Sequence, residues 1–427
     1  MESTLDRRDL LTGLLVASPI VAFPFSRSYT IFCVAIIVVG VLVRRARAQW
    51  SLHPGLLLAG GATGLPVLLT MSLLGLQQGT LATLWIEKFA LIAVATLLGL
   101  ALAGLLLEKR VRQVVAITIT ITVAFWVIDG VIQLLIGQDL FGVPLWDEVG
   151  GPARVKAFFS KATRYGYFVA FLVIPPAFWL LSKPKSKWLA HLLVACGAMV
   201  VFAAGSRYAM AGYGFFVMIY IIVVAFSLQS KLRLAVLLGA PVLLLSLSSL
   251  MFFFNDSFQS RVLQTSVVLQ KFDRETVNHA LSLRLDVWEP AMEMIANRWA
   301  VGYGPSEFEN QVGDYLDTDS PFAGDTRIMH AHQVVIEILL GTGFIGLAAF
   351  IAYYVWLTRY LWLRREQAAC FGWGCLLAYL LLWLPFGSQK DFYGSEQVLV
   401  SFYLLGLGFG FTEYSDDPEV MDKHLDE

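Results

Sequence analysis

The chain is punctuated by apolar blocks long enough to cross a lipid bilayer, and this repetition limits its fold more than any other feature. The blocks fall at about 10–26, 28–43, 52–76, 84–107, 111–137, 164–182, 188–205, 207–229, 233–254, 333–357, 368–387 and 397–412. A helix needs about 20 apolar residues to span the hydrocarbon core. The pattern therefore predicts an all-α, polytopic transmembrane bundle of about 12 helices. Composition agrees, with 57% hydrophobic residues and only 15% charged, against roughly a quarter charged in soluble domains. The expected organisation is residues 1–254 carrying the first nine helices, a large loop at 255–332, and residues 333–427 carrying the last three helices and an acidic tail.

The positions of the charges matter more than their sum. A formal net charge of −1 gives no reason to expect a nucleic-acid partner. Lys and Arg gather in alternate short loops: Arg44, Arg45 and Arg47; Lys109, Arg110 and Arg112; Lys183, Lys185 and Lys187; Lys231 and Arg233; Arg359, Arg364 and Arg365. Cytoplasmic loops carry this excess, so these loops and both termini are expected in the cytoplasm of a bacterial inner membrane, with membrane lipids as solvent. The first block reads as a retained span rather than a cleaved signal. Cys33, Cys196, Cys370 and Cys375 lie in apolar blocks without metal-ligand spacing and read as packing residues.

The opposite, outer loops include 138–163 and 255–332. The latter, about 78 residues long, exceeds ordinary connection lengths and is expected to be functional. Within it Leu285, Trp288, Met292, Ile295 and Trp299 recur at helical spacing. This predicts an amphipathic helix, either lying on the membrane surface or packed in a small loop domain. No GxxxxGK[ST] or HExxH pattern occurs, so nucleotide hydrolysis and zinc chemistry have little support.

A few polar residues at the outer ends of the blocks could carry chemistry. Arg207, in Gly205-Ser206-Arg207, opens a helix. A cation there opposes the helix dipole, whereas free N–H groups and a guanidinium together make an anion site; the plainer reading is an arginine snorkelling to headgroups. Arg164 fits the same description. Arg284 sits beside Asp286, where a solvated ion pair is the ordinary explanation. His330 and His332 close the large loop. With no third ligand they make a poor metal site, and a histidine at a helix start, where the dipole favours a neutral imidazole, suits a general base; the plainer reading of an isolated one is a capping or interfacial histidine. Asp129 and Glu337 are ionisable groups inside apolar blocks, candidates by their cost alone. Either could support Arg207 or His332. Glu87 and Lys88 read as a local pair.

Together these segments resemble the O-antigen ligase and polymerase superfamily. Three stretches carry the resemblance: Gly205-Ser206-Arg207; Arg284-Leu285-Asp286-Val287-Trp288 followed by Gly302-Tyr303-Gly304; and His332-Gln333 followed by Glu337, Leu339, Gly343, Phe344, Ile345, Gly346 and Leu347. Gln333 stands where the family commonly has Asn, and Gly341 where an acidic residue is frequent. The resemblance implies a metal-independent, inverting glycosyltransferase without cofactor. Its donor would be an undecaprenyl-pyrophosphate-linked glycan and its acceptor, for a ligase, a sugar hydroxyl of lipid A-core. His332 would be the general base, and Arg207 and Arg284 would hold the pyrophosphate. His330, outside the family pattern, is expected to matter less. Within the family the alternatives are an O-antigen polymerase and a protein O-oligosaccharyltransferase. From another class, a secondary transporter lacks support, because no repeat is visible and the polar residues sit at one face rather than at mid-depth.

Overall fold

The computed structural model describes residues 7–22, 24, 37, 53–78, 83–146, 153–233, isolated positions between 236 and 267, and 271, 273–281, 283–316, 320, 322, 330–367, 370–385, 387 and 390–412. The expected helices at 28–43 and 233–254, Cys33 and the acidic tail lie outside the described residues, apart from isolated positions. The remaining apolar blocks are helical. In chain order they are α1 Arg7–Ala22, α2 Pro54–Gln78, α3 Thr83–Leu105, α4 Lys109–Ile136, α5 Ala162–Leu172, α6 Ile174–Leu181, α7 Lys187–Ala203, α8 Arg207–Phe226, α12 Val334–Leu363, α13 Phe371–Leu382 and α14 Ser395–Thr412. Between α8 and α12 the large loop adds α9 Arg274–Ala280, α10 Leu285–Asn297 and α11 Phe308–Gln311. Among the described residues seven helices are long and apolar enough to cross a membrane, and the architecture is all-α and polytopic.

Burial sorts the helices. The α5–α6 span is 89% buried; it is apolar on every side, as a central helix must be. Around it the outer helices turn apolar residues such as Leu65, Ile121 and Val355 outward, which suits a hydrocarbon solvent. Lipid gives apolar helices no hydrophobic reason to associate, so close backbone approach does much of the holding. The α3–α14 contact shows it: a Cβ on Gly406 would lie 2.8 Å from Gly99 Cα, and one on Gly410 would lie 3.0 Å from Ala103 Cα.

The starts of α3, α5, α8, α12 and α14, the end of α4 and the large loop gather at one end of the bundle. The basic turns before α4, after α6 and after α12 lie at the other. The large loop also has a small core of its own, in which Val287, Ala291, Met294 and Ile295 of α10 meet Tyr303, Phe308, Val312, Ala331 and Leu340. The amphipathic helix is therefore present: Ile295 enters this core, while Met292 and Trp299 stay exposed on the protein.

One joint fixes this loop to the bundle. α12 is broken at Gly343, whose φ of 63° and ψ of −162° lie in a region open essentially only to glycine. The break frees backbone groups that lipid cannot satisfy. Residues 299–304 take them up: Tyr303 N–H donates to Leu340 O (2.7 Å), Gly304 N–H to Gly341 O (3.1 Å), Phe344 N–H to Trp299 O (2.8 Å) and Ile345 N–H to Ala300 O (3.4 Å). From α2, Thr70 Oγ1 donates to Val301 O at 3.0 Å. A Cβ on Gly343 would overlap the Ala300 carbonyl, and one on Gly302 would sit 2.5 Å from Leu340 O. Beyond the joint, α12 runs about 20 residues, roughly the 30 Å thickness of the hydrocarbon core.

Candidate active site

Four segments meet at the loop-bearing end. The first is the turn between α7 and α8. Gly205 takes a φ of 72°, and Ser206 Oγ caps α8 by accepting from Ala209 N–H at 3.4 Å. Arg207 follows as the first helical residue.

The second is the loop after α4. Buried Gln133 uses both ends of its amide there. Its Oε1 accepts from Lys156 N–H (2.8 Å) and Ala157 N–H (2.7 Å), and its Nε2 donates to Val143 O and Pro144 O. Arg154, 6% exposed, exchanges backbone bonds of 2.8 and 2.9 Å with Trp146, and Val155 N–H reaches Ala203 O. This brings Arg154 beside the Arg207 turn. Arg207 feels the charges of both Arg284 and Arg154.

The third segment is the start of α10. Asn278 fixes it, accepting from Leu285 N–H at 3.0 Å through Oδ1 and donating to Asp286 Oδ2 at 2.7 Å. Arg284 is thereby aimed into the site, where burial pushes its guanidinium below the usual value and the nearby Glu337 charge acts against that. One turn on, Trp288 Nε1 donates to Ala331 O at 2.8 Å, so the same helix holds both an arginine and the histidine segment.

The fourth is the histidine segment with the 383–394 loop. Gln333 caps α12, its Oε1 accepting from Ile336 N–H at 2.7 Å while Nε2 donates to Pro385 O. His332 has a φ of 55°. His330 Nδ1 lies 2.9 Å from Glu337 Oε1, and Glu337 Oε2 accepts from Phe392 N–H at 2.7 Å. A Cβ on Gly387 would lie 3.3 Å from Tyr208, 3.7 Å from the Arg284 guanidinium and 3.9 Å from His332 O. Gly387 thus marks where Arg284, the base of α8 and His332 converge.

The sequence-based candidates fare differently. Arg207, Arg284, His332, His330 and Glu337 are brought together. Glu337 meets His330 rather than His332. Asp129, wholly buried, accepts from Leu140 N–H at 2.9 Å and holds the loop that carries Arg154. Arg164 has a carboxylate partner, Glu396 of α14, which also pairs with Lys390 at 3.2 Å. Lys88 reaches the 383–394 loop, donating to Tyr393 O at 3.1 Å and lying 4.0 Å from Asp391. The sequence does not mark Arg154 or the 383–394 loop. Nothing near Arg154 in the sequence separates it from Lys156 or Lys161, and the loop falls at the tail of an apolar block. Among the described residues no three of His, Cys, Asp and Glu gather as a metal site would need.

The fold and this arrangement define a polytopic helical membrane protein with an arginine cluster beside a histidine pair. Residues 192–351 match the family model described as O-antigen ligase, and the match supports that family for this chain. It covers α8, the large loop and the first half of α12, and so includes Arg207, Arg284, Trp288 and His332. A search of curated proteins gave no match.

Proposed function

We propose that the protein is an O-antigen ligase that transfers a glycan from undecaprenyl pyrophosphate to a sugar hydroxyl of lipid A-core in lipopolysaccharide biosynthesis, at the periplasmic face of the inner membrane. The observation that carries this reading is the meeting of Arg207, Arg284 and Arg154 next to His332. Three partly buried cations this close repel one another, and a bound pyrophosphate would offset that repulsion with charge-assisted hydrogen bonds. Arginine suits the task, because its fork stays charged and matches phosphate oxygens.

In the reaction the acceptor hydroxyl oxygen attacks the anomeric carbon. The bond from that carbon to the pyrophosphate oxygen breaks, and its electron pair leaves on the pyrophosphate, where the arginines stabilise it. The hydroxyl proton passes to the His332 ring. The donor is already activated, so no nucleotide is needed. One base and a single displacement imply inversion at the anomeric carbon, without a metal. The Lys/Arg distribution supports an orientation with the basic turns in the cytoplasm and the site outside.

The test is transfer by purified protein in detergent from an undecaprenyl-pyrophosphate glycan to lipid A-core, read as a shift of the acceptor on a gel. Glycosylated lipid A-core is the expected product. Elongation of the donor glycan, with lipid A-core untouched, would replace this reading with a polymerase.

A further inference from the structure

The buried carboxylate at the start of α12 holds the histidine that lies outside the family pattern. The Glu337 side chain is only 4% exposed. Each of its oxygens is engaged, Oε1 with His330 Nδ1 and Oε2 with Phe392 N–H. A ring tethered to so fixed a carboxylate is fixed in turn. His330 passes that order to His332 by two routes. His332 N–H points at His330 Nδ1 across 3.3 Å, and the two rings lie with centroids 3.8 Å apart, tilted by 51°. Between them the Ala331 carbonyl is pinned by Trp288.

His332 needs such support. Its φ of 55° is one that residues with side chains rarely adopt. Nδ1 of His330 has one place for a proton or a lone pair. Protonated, it donates to the Glu337 carboxylate. Bare, it can accept from His332 N–H or from a protonated Glu337. With a proton on Nδ1 or on Glu337 the ring is tied to Glu337, and the bond from His332 N–H forms only when Nδ1 is bare.

We propose that His330 is a positioning residue: anchored by Glu337, it sets the backbone and ring orientation of His332 for removal of the acceptor proton. This rests on the ligase reading above and gives a definite role to a residue expected to matter less than His332. A misplaced base lowers turnover more than it weakens binding of a substrate held elsewhere, and the arginines stand on other segments of the chain.

The test compares steady-state transfer by the full chain with that of three variants. His330→Ala and His330→Phe should lose about 10–100-fold in kcat, as expected for a base displaced by about 1 Å, with the donor KM unchanged. His330→Asn places an amide nitrogen where Nδ1 stood, able to donate to Glu337, and should restore most of the loss. A full-rate His330→Ala enzyme overturns the proposal, as does an Asn variant no better than Ala. A second readout needs no turnover. In protein labelled with ¹⁵N-histidine, the His332 ring resonances should move in His330→Ala and return in His330→Asn; unmoved resonances overturn the proposal. Wild-type transfer to lipid A-core tests the ligase reading alone, so failure there leaves the resonance experiment to decide on His330.

Discussion

Two of the long helices are interrupted, and they are interrupted in opposite ways. Between α5 and α6 the interruption comes from Pro175 and Pro176, which remove two N–H donors. The backbone at Val173 stays right-handed, with φ −68° and ψ −26°, and the helix repairs itself. Val173 N–H reaches Val169 O at 3.1 Å, and Ala177 N–H reaches Val173 O at 3.0 Å. In α12 the interruption at Gly343 leaves the right-handed region altogether and is repaired by a segment some 40 residues earlier. A proline break is a local matter that bends one helix. The glycine break is a joint between two parts of the chain, and it sets how far α10, with Arg284 and Trp288, stands from the start of α12, with His332.

The largest effect should come from closing that joint. Gly343→Ala combines a strained φ, costing about 1–3 kcal/mol, with overlap against the Ala300 carbonyl, costing about 1–3 kcal/mol more. Transfer should vanish and the detergent-solubilised protein should melt well below the parent. A variant that melts with the parent would show that the segment does not sit in the break.

Next are the groups that the joint positions. His332→Ala should cost about 10²–10⁴-fold in rate while donor binding, measured by equilibrium titration, persists. Arg207→Ala and Arg284→Ala should each lose about 1.5–3 kcal/mol of transition-state stabilisation, and Arg207→Lys should stay impaired because the fork is gone. Unimpaired turnover in any correctly inserted variant removes that residue from the chemistry.

A smaller effect tests the joint by pH. Burial, with the hydrogen bond that the neutral Tyr303 hydroxyl makes to Tyr315, pushes the Tyr303 phenol up to about 12. The folded state therefore favours the neutral phenol. This contribution is complete below the ordinary tyrosine value of about 10 and is lost as pH rises through about 12. Tyr303→Phe should flatten that alkaline decline in a pH series of melting temperatures; a decline of the same size in both proteins would assign it elsewhere. The smallest effect belongs to the other interruption. Pro175→Ala should change stability by about 1 kcal/mol or less and leave transfer close to wild type. A loss like that of Gly343→Ala would erase the distinction between the two breaks.

Much of the bundle is legible in the sequence because lipid imposes a length on each span. Arg207, Arg284 and His332 can be found too, since each opens or precedes a helix at the same end. The joint is hard to see. Its four bonds run between backbone groups, and the outward sign is only glycine at 302, 304 and 343. The packed face of α10 is hard to read for a related reason: apolar spacing does not tell a face packed on protein from one turned elsewhere. Trp288 is half-buried, its indole N–H donating to Ala331 O, and Met294, not Met292, enters the core. Arg154 depends on Gln133 and Asp129 shaping a loop, a relation among residues far apart in the chain.

The joint also orders events during synthesis. Residues 299–304 leave the ribosome before the helix they complete. In the proposed orientation, until they have crossed the bilayer and folded, α12 has two carbonyls and two N–H groups at the edge of the hydrocarbon core without the protein partners that complete them, and each such group left unpaired carries a penalty of several kcal/mol. Lateral release of this span into the bilayer is therefore coupled to folding of the preceding loop, and a defect in that loop should appear first as a helix that fails to integrate.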